Sequence, residues 1–396
     1  MNNLSLLVDI GTTTVSGLLL DKKKNKAGKT DFVLNEQARF GDNLISRIDF
    51  SLKKKANKDL ISEAGISSIN KLIIKLLKKA KKKKECIDSV YCVCNTGVHH
   101  LVLKIDASSL ICAPYKAMEK SQITTTAQDL GLKLKKDISV AFLPNIESFV
   151  GSDALSAILA SQIYKTKSYK LAIDIGTNGE IILGNSEKIF VASTAAGPAF
   201  EAGHISCGMP AVEGAIESVT IKEDVIQIKV IGGGIPKGIC GSGLIDATFN
   251  MLESGIINSS GKMNRDELIL FKKGKKKISI TQQDIRKIQI AKAAISAAIK
   301  ILIKKAKIEK DDIKEIFITG SFGNTIDIES LIGIGLAPDI DKSRIKITKD
   351  GPLAGLSLYV MKKDIKNKLS LIKRSIRHMP MLGKVFNEQF ISSLNF

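Results

Sequence analysis

Val8-Asp9-Ile10-Gly11-Thr12-Thr13-Thr14, near the start of the chain, returns as Ile173-Asp174-Ile175-Gly176-Thr177-Asn178-Gly179-Glu180. Each copy is an apolar strand that runs into an aspartate, then a glycine, then hydroxyl or amide side chains. The strand makes the aspartate rigid, and the glycine lets backbone N–H groups approach an anion. Thr or Asn side chains can then donate further hydrogen bonds to phosphate oxygens. The copies lie about one domain length apart. That spacing suits two phosphate-gripping hairpins on two related halves, facing each other across a nucleotide cleft.

Between and after the two copies, apolar strands alternate with helical patterns, which predicts an α/β fold of two similar lobes. Leu4 to Val8 and Val15 to Leu20 read as strands around the first turn, as do Lys170 to Asp174 and Glu180 to Leu183 around the second. Asp59 to Leu77 carries apolar residues near helical spacing, and a helix opens at Gly151 with Ser152 or Asp153 as its cap. Asp284 to Lys305 is the clearest amphipathic helix, with Ile285, Ile288, Ala291, Ile295, Ile299 and Ile303 along one side. The polar stretch from Lys165 to Tyr169 sets the boundary, giving lobes at 1–167 and 168–396, the second including a C-terminal tail.

The net charge of +20 invites a nucleic-acid reading. However, Lys53-Lys54-Lys55, Lys78 to Lys84, Lys272 to Lys277 and Lys304-Lys305 end or interrupt apolar-periodic segments, and aromatics do not alternate with them. A solvated lysine face is expected, then an acidic protein partner, with nucleic acid well behind. No stretch is long and apolar enough for a membrane span, and the start lacks a secretory pattern. Six irregularly spaced cysteines suggest no disulfide framework, so a cytoplasmic location is expected.

The order of first phosphate loop, second phosphate loop and a glycine turn after a late strand (Gly320-Ser321-Phe322-Gly323-Asn324) resembles the actin-like ATPase superfamily. A closer resemblance covers almost the whole chain. Gly41-Asp42-Asn43-Leu44-Ile45-Ser46-Arg47, Cys94-Asn95-Thr96-Gly97-Val98-His99-His100 and Phe149-Val150-Gly151-Ser152-Asp153 are the first of its blocks. Then come Ser193-Thr194-Ala195-Ala196-Gly197-Pro198-Ala199-Phe200-Glu201, His204 to Met209 and Gly238-Ile239-Cys240-Gly241-Ser242-Gly243. These are similar to the ATPase domain of the reductive activators of corrinoid proteins, which return Co(II) to Co(I).

The resemblance implies ATP and Mg²⁺ as ligands, and a corrinoid protein of a methyl-transfer system as partner. Asp9 and Asp174 would hold Mg²⁺ through its waters. Gly11, Thr12, Thr13, Thr14, Gly176, Thr177, Asn178 and Gly179 would grip the phosphates. Gly320, Ser321, Gly323 and Asn324 would form the adenosine turn. Glu180 would orient the attacking water, with Asp153 as the rival base. Ser193, Thr194, Ser206 and Met209, in a segment of small residues and few charges, would face the partner, with core packing as the alternative. His99 and His100 lack a second ligand at metal spacing and are expected to be structural. Cys86, Cys92, Cys94 and Cys112 have the wrong spacing for an iron–sulfur cluster, so electrons are expected from a separate ferredoxin-like protein. A small-molecule kinase using the same cleft, and a non-catalytic ATP-gated binding protein, are the alternatives.

Overall fold

The run Ser5-Leu6-Leu7-Val8 has apolar residues at consecutive positions, and a strand that reads this way must be covered on both faces. In the computed structural model, which describes residues 4–113, 115–223, 225–320, 326–348 and 350–396, it is: β1 (Leu4–Ile10) is buried from Ser5 to Val8. It pairs antiparallel with β2 (Thr14–Asp21), which also pairs with β3 (Lys26–Ala27) and β4 (Asp31–Leu34). On its other side β1 runs parallel to β5 (Ile87–Cys94). Beyond that strand the sheet continues through β6 (Ile123–Thr126) and β7 (Ser139–Phe142), in the order β3-β2-β1-β5-β7-β6. The Lys55–Ala80 helix lays Ile69, Leu72, Ile73 and Leu76 on one face, against Leu6, Val8 and Ile10.

The second unit repeats this plan. β8 (Tyr169–Ile175) pairs antiparallel with β9 (Gly179–Gly184), and β9 with β10 (Ile189–Thr194). A three-stranded sheet follows: β11 (Ala215–Lys222) pairs antiparallel with β12 (Val225–Val230) and parallel with β13 (Gly238–Ile239). β14 (Glu267–Lys273) and β15 (Lys276–Thr281) form a hairpin that carries Lys272 and Lys277 at its solvated end. β16 (Ile313–Gly320) then returns parallel to β8, and β17 (Ile345–Ile347) parallel to β16. The order β17-β16-β8-β9-β10 mirrors β7-β5-β1-β2-β3 of the first sheet. In both, the loop-bearing hairpin is followed by parallel strands.

The Gln282–Ala306 helix caps the second sheet with Ile285, Ile288, Ala291, Ile295 and Ile299 buried, and Ile303 partly buried. Its start is fixed by a capping box between Thr281 and Asp284.

The units comprise Met1–Tyr164 with Asp350–His378, and Lys165–Lys349 with Met379–Phe396. The expected division into 1–167 and 168–396 therefore differs at the far end, where residues 350–378 pack with the first unit. The cause is the Gly351–Met361 helix, which buries Leu353 and Leu356. It crosses the Ser152–Ser161 helix so closely that a Cβ on Gly355 would sit 1.8 Å from the Ser156 carbonyl oxygen. Ser156 Oγ also donates to the Pro352 carbonyl at 2.6 Å. The Ser152–Ser161 helix has Gly151 as its N-cap with no side-chain cap bond, so neither Ser152 nor Asp153 caps it. Ser152 Oγ instead exchanges hydrogen bonds with the Cys94 backbone, at 3.0 and 3.1 Å.

Candidate functional site

In the first unit, β1 and β2 end in a turn whose carbonyls are each held by a donor. The Gly11 carbonyl accepts from Asn35 Nδ2 at 2.8 Å, Thr12 from Arg47 Nη1 at 2.6 Å, Thr13 from Asn35 N–H and Thr14 from Gly11 N–H, both at 2.9 Å. A trans peptide points its N–H opposite to its C=O. Each of the amides of Thr12, Thr13 and Thr14 therefore points away from the donor on the carbonyl before it, and successive turn amides can bind an anion where they converge. The Thr12 hydroxyl accepts from Asn95 Nδ2 at 2.9 Å, a bond that does not use its own proton.

Arg47 is 1% exposed, and its Nε donates to the Gly41 carbonyl at 2.8 Å. Burial pushes its pKa down to about 10, with Asp42 opposing, so the guanidinium remains a cation beneath the turn at neutral pH.

Asp9 lies opposite Ser16 in the β1–β2 register and Val93 in the β1–β5 register. Its charge and that of Asp153 both act on the Cys94 thiol, which burial raises well above the usual thiol range and keeps neutral. The two carboxylates thus belong to one neighbourhood. Burial pushes Asp153 up to about 6, against a hydrogen bond from Ala154 N–H at 2.8 Å. That value lies within about a unit of neutrality, the range suited to a general base. His99 and His100 are fully buried; the His99 ring packs edge-on to Phe142, and burial drops its pKa to about 4. They sit among packed groups, and no cluster of three metal-binding side chains occurs among the described residues.

In the second unit, Asp174 and Glu180 face each other across β8 and β9, so their side chains share one face. Glu180 is 7% exposed, and Ser193 Oγ donates to its Oε1 at 3.3 Å. Gly176 N–H donates to the Asn178 carbonyl at 3.1 Å, closing the second turn. The Thr177 hydroxyl donates to Glu201, and the Thr177 carbonyl accepts from Gly197 N–H at 2.9 Å. Gly179 is required by close packing: a Cβ there would meet Ile295 at 2.9 Å and Thr194 at 3.3 Å.

Of the expected partner-facing residues, Ser206 is exposed and Met209 half-buried, while Ser193 is half-buried and turned to Glu180. Thr194 is 4% exposed and packs inward on Gly179, so it cannot reach a partner from this position. β16 ends with Thr319 opposite Asp174 and Gly320 opposite Ile175, so its last residue lies beside the end of β8. This is the carboxyl end of parallel strands, where α/β sheets bind ligands. Gly320 is described; Ser321, Gly323 and Asn324 lie outside the described residues.

Four residues near the turns escaped the sequence reading: Asn35, Arg47, Asn95 and Glu201. Arg47, Asn95 and Glu201 stand inside blocks that carry the family resemblance, which was the available signal. Asn35 stands in none of them.

Comparison with known proteins agrees with this architecture. Residues 4–166 match the model of the RACo middle region, and residues 168–396 that of the C-terminal domain of RACo, the ASKHA domain. A corrinoid activation enzyme, RamQ, of Eubacterium limosum is 33% identical over 94% of this chain, which covers 67% of that enzyme. The [Co(II) methylated amine-specific corrinoid protein] reductase of Methanosarcina barkeri is 24% identical over 99% of this chain and 76% of its own length. A solved reductive activator for a corrinoid, iron–sulfur protein superposes with a TM-score of 0.94 at 33% identity, over 100% of this chain and 66% of that one. The chain thus spans about two thirds of the first relatives it matches. With these matches over both units and the actin-like α/β plan of each, the chain belongs to the RACo family of reductive activators of corrinoid proteins.

Proposed function

We propose that the glycine-threonine turns serve MgATP binding, and that its hydrolysis drives the reactivation of a corrinoid protein from Co(II) to Co(I). The observation that carries the nucleotide half is the glycine-threonine turn at Gly11–Thr14, whose carbonyls are fixed by Asn35, Arg47 and Gly11. The named activities of the 33%-identical relatives support the corrinoid half.

Asp9 and Asp174 would be the carboxylates for a magnesium ion, which keeps several waters and takes one or two carboxylates beside substrate phosphates. That ion would neutralise phosphate charge. Thr12, Thr13, Thr14, Thr177 and Asn178 donate to phosphate oxygens, and Arg47 adds a fixed positive charge under the first turn. Glu180, held by Ser193, orients the attacking water. Asp153, whose pKa burial raises to about 6, is the rival base in this reading. Gly320, with Ser321, Gly323 and Asn324 from outside the described residues, is assigned to the adenosine in this reading.

Reduction adds one electron to the partner's cobalt. We assign that electron to a ferredoxin-like donor rather than to Cys92 or Cys94, which are buried thiols held neutral by burial. The chain's own task is to bind the easily reduced state of the partner more tightly than the resting state. Moving that equilibrium from 1:99 to 99:1 takes about 5.5 kcal/mol of differential binding. The reading places the chain in the cytoplasm, and no helix among the described residues is long and apolar enough to cross a membrane.

An anaerobic visible spectrum tests this. A Co(II) corrinoid protein mixed with the chain, a reduced ferredoxin and MgATP should show conversion to Co(I). No conversion, together with no ATP hydrolysis in the same mixture, would overturn the reading.

A further inference from the structure

Pro198–Glu201 forms a single 3-10 turn, entered through Gly197 at φ 78° and left through Ala202 at φ 61°, with His204 following at φ 60°. Residues with a Cβ rarely adopt that left-handed conformation, so the turn persists only while its ends are tied. At one end the Thr177 hydroxyl donates to the Glu201 carboxylate, and Gly197 N–H donates to the Thr177 carbonyl. At the other, Asp284 Oδ1 accepts from Ser206 N–H at 2.9 Å and from Ser206 Oγ at 3.1 Å. The segment then joins β13, with Ile239 N–H donating to the Cys207 carbonyl and Met209 N–H to the Ile239 carbonyl, both at 2.9 Å.

Thr177 has one hydroxyl proton. It cannot serve Glu201 and a phosphate oxygen together, and two anions converging on one hydroxyl repel each other. Resting on the nucleotide reading above, we propose that Glu201 is a positioning residue that couples phosphate occupancy at the second turn to the conformation of residues 198–206. Phosphate takes the Thr177 hydroxyl, Glu201 loses that hydrogen bond, and the turn loosens at that end while Asp284 keeps the other moored. The segment therefore has two arrangements, and a nucleotide and a partner protein can each bias them.

Amide exchange reads the opening directly. Ala202 and Gly203 N–H groups donate within the turn to the carbonyls of Ala199 and Pro198, at 2.9 and 2.8 Å. MgATP should speed exchange across 198–206 by about tenfold over both the ligand-free and the adenosine-saturated chain. Glu201→Gln keeps the shape and removes the charge. It should exchange fast without ligand and bind MgATP about tenfold more tightly, while adenosine affinity stays within about twofold. A side chain that merely props the turn would weaken both ligands alike or alter neither, and either result counts against the proposal. Equal exchange with MgATP and adenosine in the unsubstituted chain overturns it too, whether or not Glu201→Gln folds. Failure of MgATP to bind at all removes the nucleotide reading itself.

Discussion

Asp153 shows how much a single carboxyl can cost the fold. In the folded chain burial holds its proton to about pH 6, against an ordinary value of 3.8. Between those values the folded state carries a proton that the unfolded state has lost, so this group's contribution to stability falls as pH rises through the window and is least above it. Asp153→Asn removes the titration. It should be more stable than the natural chain near neutral pH by roughly 1–3 kcal/mol, with the difference shrinking towards zero near pH 4. Urea denaturation of both proteins at the two pH values checks this, and a pH-independent difference would contradict it. If Asp153 serves as the base, the stabilised variant should also lose ATP turnover. Arg47 makes the same point from the opposite sign: a cation is kept out of water so that the Thr12 and Gly41 carbonyls have a donor.

At the scale of elements, the crossing of the Gly351–Met361 and Ser152–Ser161 helices depends on a missing side chain. A Cβ at Gly355 would meet the Ser156 carbonyl oxygen and carbon at 1.8 and 2.6 Å, both backbone atoms that cannot swing aside. Gly355→Ala should therefore destabilise the first unit at or above the top of the ~1–3 kcal/mol range for overpacking, seen as a lowered midpoint in thermal denaturation. An unchanged midpoint would mean the helices separate freely.

This crossing also marks where the sequence ceased to be legible. Hydrophobic periodicity revealed the Gln282–Ala306 helix and the two loop-bearing hairpins, because their signals are local. It gave no sign that residues 350–378 leave the second lobe, since their apolar pattern is the same whichever core they join. The site divides in the same way. Asp9, Thr12, Asp174 and Glu180 stand in two short repeated strings, whereas Asn35, Arg47 and Asn95 reach the first turn from three separate stretches. Nothing local in a sequence says which carbonyl a distant arginine will hold. Ser152 failed as a cap for a like reason: its hydroxyl found the Cys94 backbone instead.

At the scale of the whole molecule, each unit is built from two pieces of chain: Asp350–His378 completes the first and Met379–Phe396 the second. Residues 1–349 alone should thus lose the cover supplied by Leu353, Leu356, Ile365, Leu369 and Ile372, all buried in the full chain. Such a fragment should bind a hydrophobic dye and unfold without a sharp transition, whereas the full chain unfolds cooperatively. A sharp transition at the full-length midpoint would show that the first core closes without its returning segment. Synthesis adds a constraint of its own. Domains generally fold in order as they leave the ribosome, but here β1 waits for the Gly351–Met361 helix, which is made after residues 165–349 of the second unit. The first unit must remain incomplete while residues 165–349 are translated, and its core closes only once residues 350–378 have emerged.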